Sequence, residues 1–271
     1  MPNDHGPIHN ALTVDVEDYL HVQAFAQGVS PADWDGFESR TEANTGRLLE
    51  LFAGLGVKAT FFVLGWEAER RPGMVRRIAG EGHEVACHGY AHQLVYKNGP
   101  EAFREDVRRA KALIEDITGS RVAGYRAPSY SITAKSLWAL DILAEEGFTY
   151  DSSIVPARHD IYGLPGAPRF PYAAATAAGP LVEFPPSTMR VGTGGVKATV
   201  PVGGGGYLRL YPSALTHWGL NRINSRERQP FCVYVHPWEV DPAQPRMRGP
   251  LRSRFRHYVN LGRTAGRLAD L

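Results

Sequence analysis

Five short polar clusters each follow an apolar, strand-like run, and their residue types suit hydrolytic chemistry. The first is Thr13-Val14-Asp15-Val16-Glu17-Asp18. Period-two alternation puts Thr13, Asp15 and Glu17 on one face and Val14 and Val16 on the other. Asp15 and Glu17 can therefore converge, whereas Asp18 points away unless the strand has already ended. Taken alone, such acids also cap turns. The second is His88-Gly89-Tyr90-Ala91-His92. Histidines four apart can hold one metal ion from a helical turn or a tight loop, although the pattern alone is weak. One carboxylate and two imidazoles leave coordination positions open, as a catalytic zinc requires.

The other three clusters supply groups that act on a proton or a charge. In Arg126-Ala127-Pro128-Ser129-Tyr130 the arginine can hold a carboxylate through paired hydrogen bonds. Asp151 follows Phe148-Thr149-Tyr150, and His236 ends the run Phe231-Cys232-Val233-Tyr234-Val235. A strand-end histidine oriented by an aspartate has the parts of a general acid. Each of these residues alone reads more readily as structural. Their combination at the ends of successive strands carries the weight, because that edge holds the active site in parallel α/β folds.

The elements that must position these groups alternate. Strands are predicted over 11–16, 57–64, 84–87, 122–125 and 148–150. Helices are predicted over 41–52, 74–79, 101–117 and 136–146, several ending at glycine. The apolar series Phe103, Val107, Ala110, Ile114 and Ile117 marks the clearest amphipathic helix. This order argues for parallel strands with crossover helices. Residues 155–206 break the alternation with Pro, Gly and Ala, leaving strand-like pieces at 181–184 and 196–202. A helix over 213–224 and the strand 231–235 resume it. No linker or repeat divides the chain, so residues 1–271 read as one domain, with 239–271 a basic extension packed on or beside it.

Composition sets the outer limits. The chain has 271 residues with 43% hydrophobic and 21% charged residues, the profile of a globular protein and not of a disordered chain. A net charge of +2 does not by itself suggest a nucleic-acid partner. From Pro245 onward there are seven arginines (246, 248, 252, 254, 256, 263 and 267) against the single acid Asp270. This reads as a solvated basic helix or as a contact with an anionic membrane surface. No apolar run reaches the length of a membrane span, and Met1-Pro2-Asn3-Asp4-His5 lacks the features of a signal peptide. Two cysteines make no disulfide framework. The expected location is cytoplasmic, with the inner face of the membrane as a further option. Cys87 and Cys232 read as small core residues, His83 as a structural turn residue before a strand, and the first ten residues as loose.

With all five clusters in order from Leu12 to Trp238, the sequence resembles the NodB-homology polysaccharide deacetylases, carbohydrate esterase family four. The phrases T-V-D-V-E-D-Y, G-H-E-V-A-C-H-G-Y-A-H, Y-R-A-P-S-Y-S, Y-D-S-S and Y-V-H-P-W-E are most similar to an exosortase-associated, exopolysaccharide branch. The resemblance implies a distorted (β/α) barrel with fewer than eight regular strands. It also implies a zinc-dependent hydrolase, or one using another divalent metal, that removes N-acetyl groups from a polysaccharide or lipid-linked oligosaccharide.

By motif, the resemblance makes Asp15 the base, Arg126 the residue that tunes it, His236 the acid and Asp151 the residue that orients that acid. His88 and His92 are metal ligands. The third ligand is Glu17, with Asp18 as the alternative, because the family's usual adjacent aspartates are replaced here by Asp-Val-Glu-Asp. The family's tyrosine after Arg-x-Pro is Ser129 here, with Tyr130 one further, and the oxyanion donor there is a backbone N–H. The glycine run 203–206 suggests a loop over the cleft, with Tyr207 able to stack on a sugar and Trp238 able to line the acyl pocket. His21, His159 and Trp34 lie in loops that could border the cleft. An amidase acting on a non-sugar C–N bond would use the same residues. A non-catalytic glycan binder would not need the full set.

Overall fold

The computed structural model describes residues 6–26, 28–192 and 198–271. The β-branched and aromatic runs form β1 (Ala11–Val16), β2 (Thr60–Val63), β3 (Glu84–Cys87), β4 (Gly124–Tyr125) and β5 (Tyr150–Asp151). They are followed by β6 (Tyr172–Thr176), β7 (Gly179–Glu183), β8 (Thr188–Val191), β9 (Ala198–Pro201) and β10 (Cys232–Val235). The helices are α1 (Thr41–Leu55), α2 (Gly65–Arg70), α3 (Pro72–Gly80), α4 (Pro100–Thr118) and α5 (Trp138–Glu145). In the second half come α6 (Gly206–Leu210), α7 (Ser213–Arg222), α8 (Leu251–Tyr258) and α9 (Thr264–Ala269).

Eight strands form one curled sheet in the order β10-β1-β2-β3-β4-β5-β7-β6. All neighbours pair in parallel except β6, which returns antiparallel on β7. The result is an open half-barrel surrounded by helices, with β8 and β9 as a separate ribbon. Two of the sheet's strands, β4 and β5, are only two residues long, so the barrel is irregular, as the resemblance implied.

Strand alternation sorts side chains as expected. Val14, Val16, Phe61 and Val63 face the main apolar core with Leu48, Phe52, Val75, Ile78, Val107 and Ile114 of the helices. Thr13 and Asp15 instead reach the buried guanidinium of Arg126, which lies over the Phe62 ring. Helix α4 starts at Pro100, where no amide partner is lost, and ends at Gly119 in a left-handed conformation. Cys87, Cys232 and His83 are buried, and His83 Nδ1 accepts the Ala59 amide.

Some predicted boundaries shift. The strand expected over 57–64 pairs only from Thr60, because Gly56 caps α1 in a left-handed turn and Val57 N–H still bonds to Phe52 C=O. Residues 1–5, and Val196 and Lys197 at the start of another expected strand, lie outside the described residues. The glycine run is not free loop. A Cβ on Gly204 would fall 1.9 Å from the Tyr234 carbonyl oxygen, so glycine lets this backbone bridge onto β10. The basic tail folds into α8 and α9, with His257, Leu261, Thr264 and Leu268 buried.

Candidate metal and catalytic site

The strand ends bring Glu17, His88 and His92 together, with one ligand atom from each lying within 4.8 Å of the others. Glu17 follows β1, where its N–H turns back onto the Asp15 carbonyl. Its Oε2 is buried, lies 2.5 Å from His92 Nε2 and has no other hydrogen-bonding contact among the described residues. The two histidines come from the loop after β3. Gly89 takes φ +73° there, and a Cβ would press on Asp106 at 2.8 Å. The Asp106 carboxylate accepts the amides of Tyr90 and Ala91, which holds the loop and leaves His92 at φ +51°. His88 Nδ1 is 2.8 Å from the Arg126 carbonyl, so its Nε2 is the nitrogen left for a ligand. Burial lowers the His88 pKa to about 4, which keeps this ring neutral at pH 7. A buried, unsatisfied carboxylate oxygen facing two imidazoles fits a divalent cation.

Asp18, the alternative ligand, is committed elsewhere. Its Oδ1 accepts the Tyr19 amide, while Oδ2 accepts from the Ser39 hydroxyl and from the amides of Arg40 and Thr41. It thereby caps the start of α1, which has no cap from its own Arg40.

Beside this triad, Arg126 donates through Nη1 to Asp15 Oδ1 at 2.6 Å and to the Thr13 hydroxyl at 2.7 Å. Its Nε and Nη2 donate to the carbonyl and hydroxyl of Ser152. The guanidinium is fully buried. Burial acts to lower its pKa, but Asp15 and the surrounding groups outweigh that and hold it above its ordinary value.

His236 Nε2 lies 3.4 Å from Glu17 Oε1 and 3.9 Å from Asp15 Oδ2. Burial would lower the His236 pKa, but Glu17, Glu239 and Asp15 together raise it to about 9. These carboxylates favour the protonated ring, the state a general acid needs.

The sequence reading assigned the orientation of His236 to Asp151, and the structure corrects this. His236 Nδ1 meets Glu239 Oε1 at 2.6 Å, and Glu239 Oε2 accepts from Arg209 Nε at 2.6 Å. Asp151 sits on β5, accepts from the Ser153 hydroxyl and pairs in register with Glu183. Five steps of the strand order separate β5 from β10. Burial raises the pKa of both Asp151 and Glu183, and each has one carboxyl oxygen without a hydrogen-bond partner among the described residues, an arrangement that favours a proton held between them.

A cleft of about 200 Å³ opens beside the triad, lined in part by Glu17, Ser129, Tyr130, Tyr207, His236 and Trp238. Ser129 and Tyr130 take left-handed φ values of 51° and 54°, conformations held by the buried turn around them. Tyr130 OH reaches toward Asp15 Oδ2 at 3.4 Å. Trp238 stacks between His236 and His257, and its Nε1 faces Glu17 at 3.4 Å. His159 and Arg256 also line the cleft. His21 and Trp34 are buried against each other and border a second hollow on the His92 side. The sequence reading did not single out Asp106, Arg209 or Glu239. Only Glu239 left a local signal, three residues after His236, where it also accepts the His236 amide.

Comparison with known proteins accords with this geometry. Residues 34–150 match the family described as polysaccharide deacetylase, and residues 152–271 match a domain of unknown function, DUF3473. The chain is thus similar in its first half to polysaccharide deacetylases and in its second to DUF3473, each match covering less than half of the chain. It is 33% identical over 121 residues to the peptidoglycan deacetylase-like protein FGM2 of Gibberella zeae, covering 44% of this chain and 35% of that one. It is also 33% identical over 98 residues to a peptidoglycan-N-acetylglucosamine deacetylase of Bacillus cereus, covering 36% of each chain. The matches thus span little more than a third of these relatives' length. A crystal structure from Mycobacterium smegmatis, assigned as a polysaccharide deacetylase, superposes with a TM-score of 0.59. It has 23% identity and covers 93% of this chain and 84% of that one, a likeness of fold.

Proposed function

We propose that this chain is a divalent-metal-dependent hydrolase, with zinc the first candidate, that removes N-acetyl groups from a polysaccharide or lipid-linked oligosaccharide. The observation that carries the reading is the convergence of Glu17, His88 and His92 beside the Asp15–Arg126 and His236–Glu239 pairs. A divalent cation held by Glu17, His88 and His92 supplies Lewis acidity at the amide carbonyl and acidifies water. Asp15, held by Arg126, takes the proton from the attacking water. His236, held by Glu239, gives a proton to the departing amine. The Ser129 backbone N–H stabilises the oxyanion, and Tyr207 and Trp238 shape the sugar and acyl contacts. The reading extends to exopolysaccharide biosynthesis in the cytoplasm, at the inner membrane face. That extension rests on the motif resemblance.

The test is acetate release from a panel of N-acetylated oligosaccharides, comparing metal-loaded with chelated protein. Metal-dependent release is expected. His236→Ala should keep the metal and lose turnover by about 10²- to 10⁴-fold. Hydrolysis of small cyclic amides by metal-loaded protein, with no acetate from any glycan, would replace the proposal with the amidase reading.

A further inference from the structure

Helix α8 carries the two most exposed large apolar side chains among the described residues, Leu251 at 80% and Phe255 at 64%. At about 100° per residue they form one stripe. Arg254 flanks it on one side and Arg252 and Arg256 on the other, while His257 is buried on the opposite face. Arg246 and Arg248 precede the helix. Among the described residues, none of these five arginines forms an ion pair with a carboxylate.

The apolar stripe alone would suit another protein. Guanidinium groups on both of its flanks, free of any ion pair among the described residues, favour an anionic counterpart, and that combination matches a helix lying in a membrane interface. We propose that α8 docks the protein on an anionic lipid bilayer, with Leu251 and Phe255 entering the acyl boundary and the arginines meeting the headgroups.

The helix is fixed relative to the catalytic cleft. Arg209 Nη1 donates to the carbonyls of Arg256, His257 and Val259, while its Nε holds Glu239. Arg256 itself lines the cleft. Docking through α8 therefore sets the cleft mouth beside the lipid surface, where a glycan on a lipid anchor is presented. That consequence rests on the proposed function, whereas the docking itself does not.

The experiment is cosedimentation of the full chain with vesicles of phosphatidylcholine, with and without phosphatidylglycerol. Binding is expected only to the anionic vesicles and should weaken with salt. Leu251→Ser with Phe255→Ser should cut partitioning on the order of tenfold or more, and Arg252→Gln or Arg254→Gln about fivefold each. These variants should retain acetate release from a soluble oligosaccharide. The proposal is overturned if the wild-type chain ignores anionic vesicles at low salt, or if the Leu251/Phe255 variant binds them equally well. It is likewise overturned by retention on a soluble anionic polysaccharide without vesicle binding, which would assign the arginines to a polymer. Vesicle binding that persists when no glycan is deacetylated would sink the proposed function and leave the docking intact.

Discussion

Replacing Glu239 with glutamine tests the orientation of His236 most directly. The carboxylate has no exposed surface, receives His236 Nδ1 on one oxygen and receives Arg209 on the other. Burial raises its pKa, but Arg209 and His236 outweigh this and lower it to about 2, so it is charged throughout the working range. Glutamine keeps the shape and removes the charge that favours a protonated His236. A hydrogen bond to a charged group contributes about 1.5–3 kcal/mol. Losing it should lower kcat roughly 10- to 150-fold, at about 1.4 kcal/mol per decade. KM and metal content should stay unchanged, because Glu239 is itself neither among the residues that line the cleft nor among the triad ligands. Arg209 keeps its three carbonyl partners, so the fold should survive with a melting temperature lowered by about 2–4 °C per kcal/mol lost. The assay is acetate release at saturating substrate, with Asp151→Asn in parallel, which should leave kcat within a few-fold of wild type. An unchanged kcat in Glu239→Gln, or an equal fall in Asp151→Asn, would refute the assignment.

Metal titration calorimetry should find one divalent cation per chain. Binding should be lost or strongly weakened in Glu17→Gln and His88→Ala but kept in Asp18→Asn, whose cost of about 1 kcal/mol appears in urea unfolding. The Asp151–Glu183 pair predicts a pH dependence of stability. Both folded pKa values are raised, so their contribution is fully present below the unfolded carboxyl range and is lost as pH rises through the folded values. Wild type should therefore lose about 1.4 kcal/mol per pH unit relative to Glu183→Gln above roughly pH 4.5. Equal slopes in urea titrations of the two proteins would remove the shared proton from the account. Arg126→Met should destabilise by about 3–5 kcal/mol, because it strands the buried carboxylate of Asp15, and calorimetric melting measures this.

What the sequence revealed about the site follows from how local each relation is. Period-two alternation along β1 separates Glu17 from Asp18 without any tertiary knowledge. The physical reason Asp18 is occupied was not legible, because its partners Ser39, Arg40 and Thr41 lie more than twenty residues on. The strand ends were read well because β-branched and aromatic runs stop there. The pairing of Asp151 with His236 failed because proximity across a curled sheet depends on strand order, which periodicity does not encode. Glu239 stood three residues after His236 and was legible as a partner for it. Arg209 was not, since its value lies in a cage of backbone carbonyls from a segment fifty residues away. Asp106 lies among the charges of an amphipathic helix, and its hold on the His88–His92 loop is a tertiary relation that helical periodicity does not carry.

The strand order also bears on when the molecule becomes competent during synthesis. β1 lies between β2 and β10, so the first strand acquires one of its two neighbours only from the last. Glu17 and Trp238, in contact in the finished site, are 221 residues apart. The carbonyl of Val259, later still, helps hold Arg209, which pairs with the Glu239 that bonds His236. A ribosome-bound chain that has made Asp15, Glu17, His88 and His92 therefore still lacks His236 and Glu239 for more than half of its translation. Closure of the site is a late, high-contact-order step. Until then the edge of β1 that faces β10 stays without its strand partner.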